Sequence, residues 1–307
     1  MNERIAVLIP CYNEEKTIEK VVNDFKRELP EAEVIVFDNN STDKSVEKAK
    51  KVGARIEKIP LQGKGNVIRE MFRRVDANIY IMVDGDDTYD ANDVKKMVEA
   101  VREGADMVIG DRLNSTYFKE NKRFGHNFGN VLVRKIINIF FRSNIQDVMT
   151  GYRAFSRRFV KTCPVLSKGF QVETEMTIHA LDKKMIIKSI PIGYKDRPAD
   201  SPSKLNTYSD GVRVMMTIFN LIKEYKPLMF FTIVAMSLFL VSLILEIPVL
   251  ADFFNTGIVE RFPTLIISSM LMILSFLAFI TGLILDIIAR KSRQQFELVL
   301  MGIRNDK

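Results

Sequence analysis

Two long uncharged apolar runs near the C-terminus constrain this chain more than any other feature. Residues 228–245 read LMFFTIVAMSLFLVSLIL, and residues 264–285 read TLIISSMLMILSFLAFITGLIL. A helix rises about 1.5 Å per residue, so ~20 residues cover the ~30 Å hydrocarbon core of a bilayer. The competing reading is a pair of fully buried helices in a soluble protein. Two consecutive runs joined by a short polar loop favour a transmembrane hairpin. Glu246 and Asp286 fall just past the runs and read as helix-end charges, not as intramembrane functional groups.

The flanks set an orientation. Lys223 and Lys226 precede the first run, and Arg290, Lys291 and Arg293 follow the second. The connecting loop offers Asp252, Glu260 and Arg261, with little positive excess. The positive-inside bias then places both chain ends in the cytoplasm, with the chain a multi-pass protein of the cell membrane. Met1 leads directly into a strand-like run, so no cleavable signal peptide is expected. The boundaries expected are a catalytic domain over residues 1–209, an interfacial amphipathic helix over 210–227, two spans within 228–289 and a cytoplasmic tail over 290–307.

Of the 307 residues 27% are charged, with a formal net charge of +7. That excess suits solubility or attraction to anionic lipid and phosphate, and no nucleic-acid partner is expected. Cys11 and Cys163 are too few for a disulfide framework and read as packing residues in a reduced compartment. His126 and His179 cannot build a histidine-rich metal site.

Before the apolar runs, strand and helix patterns alternate. Strands are expected over residues 4–10, 33–37, 55–59, 79–83 and 107–110, and helices over 14–29, 41–52, 66–75 and 91–102. Such alternation indicates an α/β fold with a parallel sheet covered on both faces, and ligands of these sheets bind at the carboxyl ends of strands. Polar clusters fall at those ends: Tyr12, Asn13 and Glu14, then residues 38–43, then residues 84–88. Asp84 and Asp86, two apart after a strand, are oxygen donors suited to Mg²⁺ or Mn²⁺ bridging a diphosphate. The plainer reading is an acidic turn ahead of a helix, and the pair alone does not decide.

The pair does not stand alone. Residues 7–14 (VLIPCYNE), residues 38–43 (DNNSTD) and residues 84–88 (DGDDT) together resemble family 2 glycosyltransferases of the GT-A fold, in order, spacing and placement. The resemblance implies a Rossmann-like, mostly parallel sheet and gives nucleotide binding to Pro10, Tyr12, Glu14, Asp38, Asp84 and Gly85, with Asp84 and Asp86 as metal ligands. Relatives usually carry two acids after strand two, where this chain has Asp38 and Asn39. Gly110-Asp111-Arg112, Asp147 with residues 150–153 (TGYR), residues 170–175 (FQVETE), Arg197 and Ser203-Lys204 narrow the likeness to polyprenyl-phosphate glycosyltransferases, the group of the dolichol-phosphate mannose synthases. That implies a nucleotide sugar as donor (UDP-linked, with GDP-mannose the alternative), inverting transfer of a hexose or N-acetylhexosamine, a polyprenyl phosphate acceptor (undecaprenyl or dolichyl), and a dimer or tetramer. Asp86, Arg112, Arg197 and Lys204 become the catalytic set, and Asp147, Thr150, Arg153 and Glu173 lie on the sugar and acceptor side. Thr88 stands where many relatives have a glutamine ligand and is expected to act through water or not at all.

Residues 123–141 and 211–225 mix apolar and basic residues, and each reads equally as a core helix or as a helix lying on the bilayer. A processive polysaccharide synthase would share the nucleotide half but carry a Gln-x-x-Arg-Trp element, and the chain has no tryptophan. A non-catalytic scaffold would have lost acidic ligands that are retained here. A nucleotidyltransferase would place a glycine-rich phosphate loop near the start, and Gln62-Gly63-Lys64-Gly65 comes too late and is too short.

Overall fold

The computed structural model describes residues 3–113, 124–169, 171–195, 216, 219–220 and 222–305, without the side chains of 124–130 and 303–305. It divides into two compact units, Met1–Thr217 with Val299–Lys307, and Ile218–Leu298.

The first unit is built on a seven-stranded sheet of order β3-β2-β1-β4-β6-β5-β7. Its strands are β1 (Ile5–Cys11), β2 (Glu33–Asp38), β3 (Arg55–Lys58), β4 (Ile79–Met82), β5 (Met107–Asp111), β6 (Arg153–Ser156) and β7 (Ile187–Pro191). Continuous apolar runs such as IAVLIPC of β1 have both faces buried, as a strand covered on two sides requires. Helices α1 (Ile18–Glu28), α2 (Ser45–Lys51), α3 (Lys64–Arg74) and α4 (Val94–Arg102) connect the parallel strands. Ile18, Val21, Val22 and Phe25 form the buried stripe of α1.

The first five strands run where the sequence pattern expects them, but helices α1 and α2 start later. Ser45 donates from its amide and hydroxyl to the Asp43 carboxylate, whose other oxygen accepts from the Glu15 amide. Side chains that bond nearby backbone favour turns over helix, so residues 41–44 stay a loop. β6 and β7 have no counterpart in the sequence reading. β6 is antiparallel to both β4 and β5, so its beginning at Arg153 lies at the edge where the parallel strands end. That reversal delivers residues 147–152 to the edge where ligands of such sheets bind. Helices α5 (Phe124–Phe141), α6 (Arg157–Thr162) and α7 (Val172–Asp182) complete this unit. α5 buries Val133 and Ile137 while leaving Ile139 exposed, so it shares features of both readings offered for it.

The second unit holds a helical hairpin of α8 (Pro227–Thr256) and α9 (Phe262–Asn305) as far as Leu298. Both are long and apolar enough to cross a membrane, and only 11% of the most apolar window of each is buried. A soluble core helix would be mostly buried, so these two are membrane-associating helices. They pair through small residues: Ser242 donates to the Ser268 carbonyl at 2.8 Å and Ser275 to the Ala235 carbonyl at 2.8 Å. A Cβ on Gly282 would stand 2.8 Å from that of Phe231. Close approach of backbones with hydroxyl-to-carbonyl bonds is how helices associate in lipid. The expectation that Glu246 and Asp286 sit at helix ends is corrected, since α8 runs on to Thr256 through Pro248 and α9 to Asn305. Asp286 pairs instead with Arg290 one turn on.

Candidate active site

The carboxyl ends of β1, β2, β4 and β5 share one edge of the sheet, and the polar clusters meet there. After β1, Asn13 takes a left-handed φ of 54° and donates from its amide to Ser41. Its side-chain oxygen accepts from the Thr42 amide, so the first loop is tied to the second. Pro10 pairs in register with Phe37, Glu14 is buried with its amide on Ser45, and Tyr12 stands out at 39% exposure. Asp38 is buried and accepts from the Ser41 amide. Asn39, where relatives carry a second acid, bridges the carbonyls of Ile59 and Leu61 and accepts from the Gly63 amide. An aspartate could accept but not donate, so asparagine suits this loop-fixing position.

The first loop also fixes the acidic one. Thr17 donates to the Gly85 carbonyl at 2.7 Å, and a Cβ on Gly85 would press on Ile9 and Ile18. Asp86 is buried, with one oxygen accepting from the Thr88 hydroxyl at 2.7 Å and the Thr88 amide at 3.3 Å. Thr88 therefore acts by orienting Asp86, a role the sequence did not suggest. Asp87 takes a φ of 58° and turns its carboxylate outward to Lys20.

Asp84 is more committed than expected. One oxygen lies 2.6 Å from Lys64 Nζ, and the same ammonium lies 2.7 Å from Glu173. The other oxygen lies against Gly151, where any Cβ would approach within 2.2 Å. Gly63 (φ 126°) and Gly65 let this turn meet the 167–168 backbone, and the Gly65 amide donates to the Lys168 carbonyl. Lys64 is thereby delivered into the site, and two carboxylates raise its pKa far above the ordinary value, outweighing the opposing effect of burial. In the sequence this turn suggests only a phosphate loop, and nothing in the pattern gives its lysine a role. Its one local signal is a charged residue locked between two glycines.

Beside this cluster, Arg112 is clamped by Asp147 through Nε at 2.7 Å and Nη2 at 3.1 Å, and lies 5.4 Å from the centre of the Tyr194 ring. Burial opposes ionisation of Asp147, but the charge and hydrogen bonds of Arg112 prevail and hold its pKa below the ordinary value. Arg153 is fully buried and donates to the carbonyls of Val148 and Thr150 and to the Thr177 hydroxyl. It braces residues 148–150 from inside the protein. Burial lowers its pKa to about 10. Thr150 is buried and accepts from the Tyr152 amide. Arg197 and Lys204 lie outside the described residues.

Among the described residues no three His, Cys, Asp or Glu side chains gather as a metal site. Asp86 offers a hard oxygen donor, and Mg²⁺ or Mn²⁺ commonly completes its shell with water and substrate phosphate. The donor set therefore fits such an ion at Asp86, whereas Asp84 is already bound to an ammonium. The sequence names Asp84 as a ligand beside Asp86, and in the structure its carboxylate is paired with Lys64.

The profile of the family described as "Glycosyl transferase family 2" matches residues 6–163. The chain belongs to that family. It is a glycosyltransferase with a GT-A-type fold. Over 230 residues it is 32% identical to "Glycosyltransferase AglJ" of Haloferax volcanii, covering 75% of each chain. It is 26% identical to "Dolichyl-phosphate hexose transferase" of the same organism, over 70% of this chain and 92% of the relative. Glucosyl-3-phosphoglycerate synthase from Mycobacterium tuberculosis, solved with Mn²⁺, UDP and glucosyl-3-phosphoglycerate, superposes with a TM-score of 0.59 at 20% identity, over 73% of this chain and 80% of that one. That likeness is one of fold.

Proposed function

We propose that this glycosyltransferase moves a hexose or N-acetylhexosamine from a nucleotide sugar, UDP-linked, to a polyprenyl phosphate. The observation that carries the proposal is the joining in one chain of a family 2 donor site and two membrane-length apolar helices. A relative named for dolichyl-phosphate hexose transfer, matched along most of its length, supports it.

In this reading Pro10, Tyr12, Glu14, Asp38 and Gly85 hold the nucleoside part of the donor. Asp86, oriented by Thr88, would hold a divalent ion, which when bound supplies charge to offset that on the diphosphate. The acceptor is already anionic, so its phosphate oxygen attacks the anomeric carbon without a strong general base. The C–O bond to the diphosphate breaks as the new one forms, inverting the centre, and the nucleoside diphosphate leaves with the electron pair. Bringing two phosphate groups together is the main electrostatic cost, several kcal/mol when poorly screened. Arg112, Arg197 and Lys204 are assigned to that charge, as cations suited to phosphate oxygens. Asp147 and Arg153 act one step back: Asp147 fixes the plane of Arg112, and Arg153 holds the segment that carries Thr150.

The test is a panel of radiolabelled nucleotide sugars given to membranes containing the protein, followed by lipid extraction. UDP-sugars are expected to label the lipid fraction, chelation should abolish labelling, and Mg²⁺ or Mn²⁺ should restore it. Labelling by GDP-mannose alone would replace the UDP assignment, and no lipid label from any donor would defeat the proposal.

A further inference from the structure

The Lys64 ammonium has no place in the functional assignments above, yet it lies at the centre of the site. It joins three separate pieces of chain: the start of α3, the loop after β4 and the start of α7. Glu173 is 3% exposed, and its second oxygen is buried with no hydrogen-bond partner among the described residues. A carboxylate buried without a cation is costly, so its presence there rests on the lysine. The lysine side chain is 13% exposed and that of Asp84 23%, so the accessible member of the trio is Asp84. Gly151 closes the side of Asp84 away from Lys64.

We infer that Lys64 is a positioning residue of the donor site: anchored by Glu173, it fixes the carboxylate of Asp84 in the orientation that a bound nucleotide sugar meets. The inference rests on the donor-site reading above. Glu173 holds the lysine, the lysine holds the aspartate, and only the aspartate faces the ligand. The surroundings support that order. The Glu175 carboxylate accepts from the amides of Leu166 and Ser167, and Arg69 donates to the carbonyls of Val165 and Leu166. The segment against which the Lys64 turn docks is thus fixed from two sides.

The test is a set of variants of the full-length protein in mild detergent: Lys64→Met, Glu173→Gln, Asp84→Asn and the double variant Lys64→Met/Asp84→Asn. Calorimetry with a nucleotide sugar and with the matching nucleoside diphosphate reads the donor site without any lipid acceptor. Turnover with the acceptor is measured alongside. Glu173→Gln keeps the shape and guards against the folding failure that Lys64→Met invites by leaving two carboxylates unpaired. The expectation is that Glu173→Gln lowers kcat roughly tenfold, the scale of one charge-assisted hydrogen bond, while diphosphate affinity changes little. The double variant should be no worse than Asp84→Asn alone, because Lys64 acts through Asp84. Losses that add in the double variant would mean that Lys64 contacts the substrate itself, and would overturn the inference. Unchanged turnover in Glu173→Gln would overturn it too. A wild-type protein that binds nucleotide sugar but transfers nothing to lipid would defeat the acceptor assignment and leave the calorimetric comparison valid. One that binds no nucleotide sugar would overturn both.

Discussion

His179 lies on α7, six residues beyond Glu173, and shows how burial links this region to pH. The ring is buried edge-on to Phe159, and burial lowers its pKa from 6.5 to about 4. The unfolded chain therefore binds a proton below pH 6.5 that the folded chain refuses until about pH 4. Stability from this source is complete above 6.5 and is lost progressively as the pH falls towards 4, by about 3 kcal/mol in all. The melting temperature in detergent should fall across that window, and His179→Leu should flatten the fall. Asp147 works in a lower window. Its lowered folded pKa gives stability that is complete above its unfolded value of 3.8 and is lost only below it. An unchanged pH profile in His179→Leu would remove the histidine from the account.

Elements were legible to the extent that their signal was local. β1, β2 and β4 are apolar runs ending in polar clusters, which place Asp38, Asp84 and Asp86 on one edge, whereas Arg112 stood out only through the family resemblance. β6 was not legible, because RAFS is four residues long and opens on an arginine. That arginine is tolerated inside only because carbonyls from Val148 and Thr150 and a hydroxyl from Thr177 meet it there. Lys64 was missed for a similar reason: its partners lie 20 and 109 residues further along the chain. In the hairpin, the uncharged runs stop at Glu246 and Asp286, but the helices extend beyond them because a single charge does not end a helix. The contact at Gly282 gives a prediction at this scale. Gly282→Leu places a side chain where Phe231 already lies, and overpacking of this kind costs about 1–3 kcal/mol. The variant should melt earlier in detergent, and Gly302→Leu, where a Cβ meets nothing within 4 Å, should not. Equal melting of the two would show that α8 and α9 do not pair through this glycine.

At the scale of the whole molecule, the proposed function joins a water-soluble donor to an insoluble acceptor. A nucleotide sugar is polar and arrives from water, whereas a polyprenyl phosphate keeps its chain in lipid and offers only a headgroup. A sheet-edge site and a membrane-associating hairpin in one protein answer both needs. The central claim is glycosyl transfer onto an intact lipid phosphate, and the nucleotide released tests it most directly. Purified protein in detergent should be given a nucleotide sugar and a polyprenyl phosphate, and both products weighed by mass spectrometry. The account predicts a nucleoside diphosphate released one-for-one with a lipid bearing one phosphate and one sugar. Release of a nucleoside monophosphate, with a lipid carrying two phosphates, would mean sugar-phosphate transfer and would contradict it.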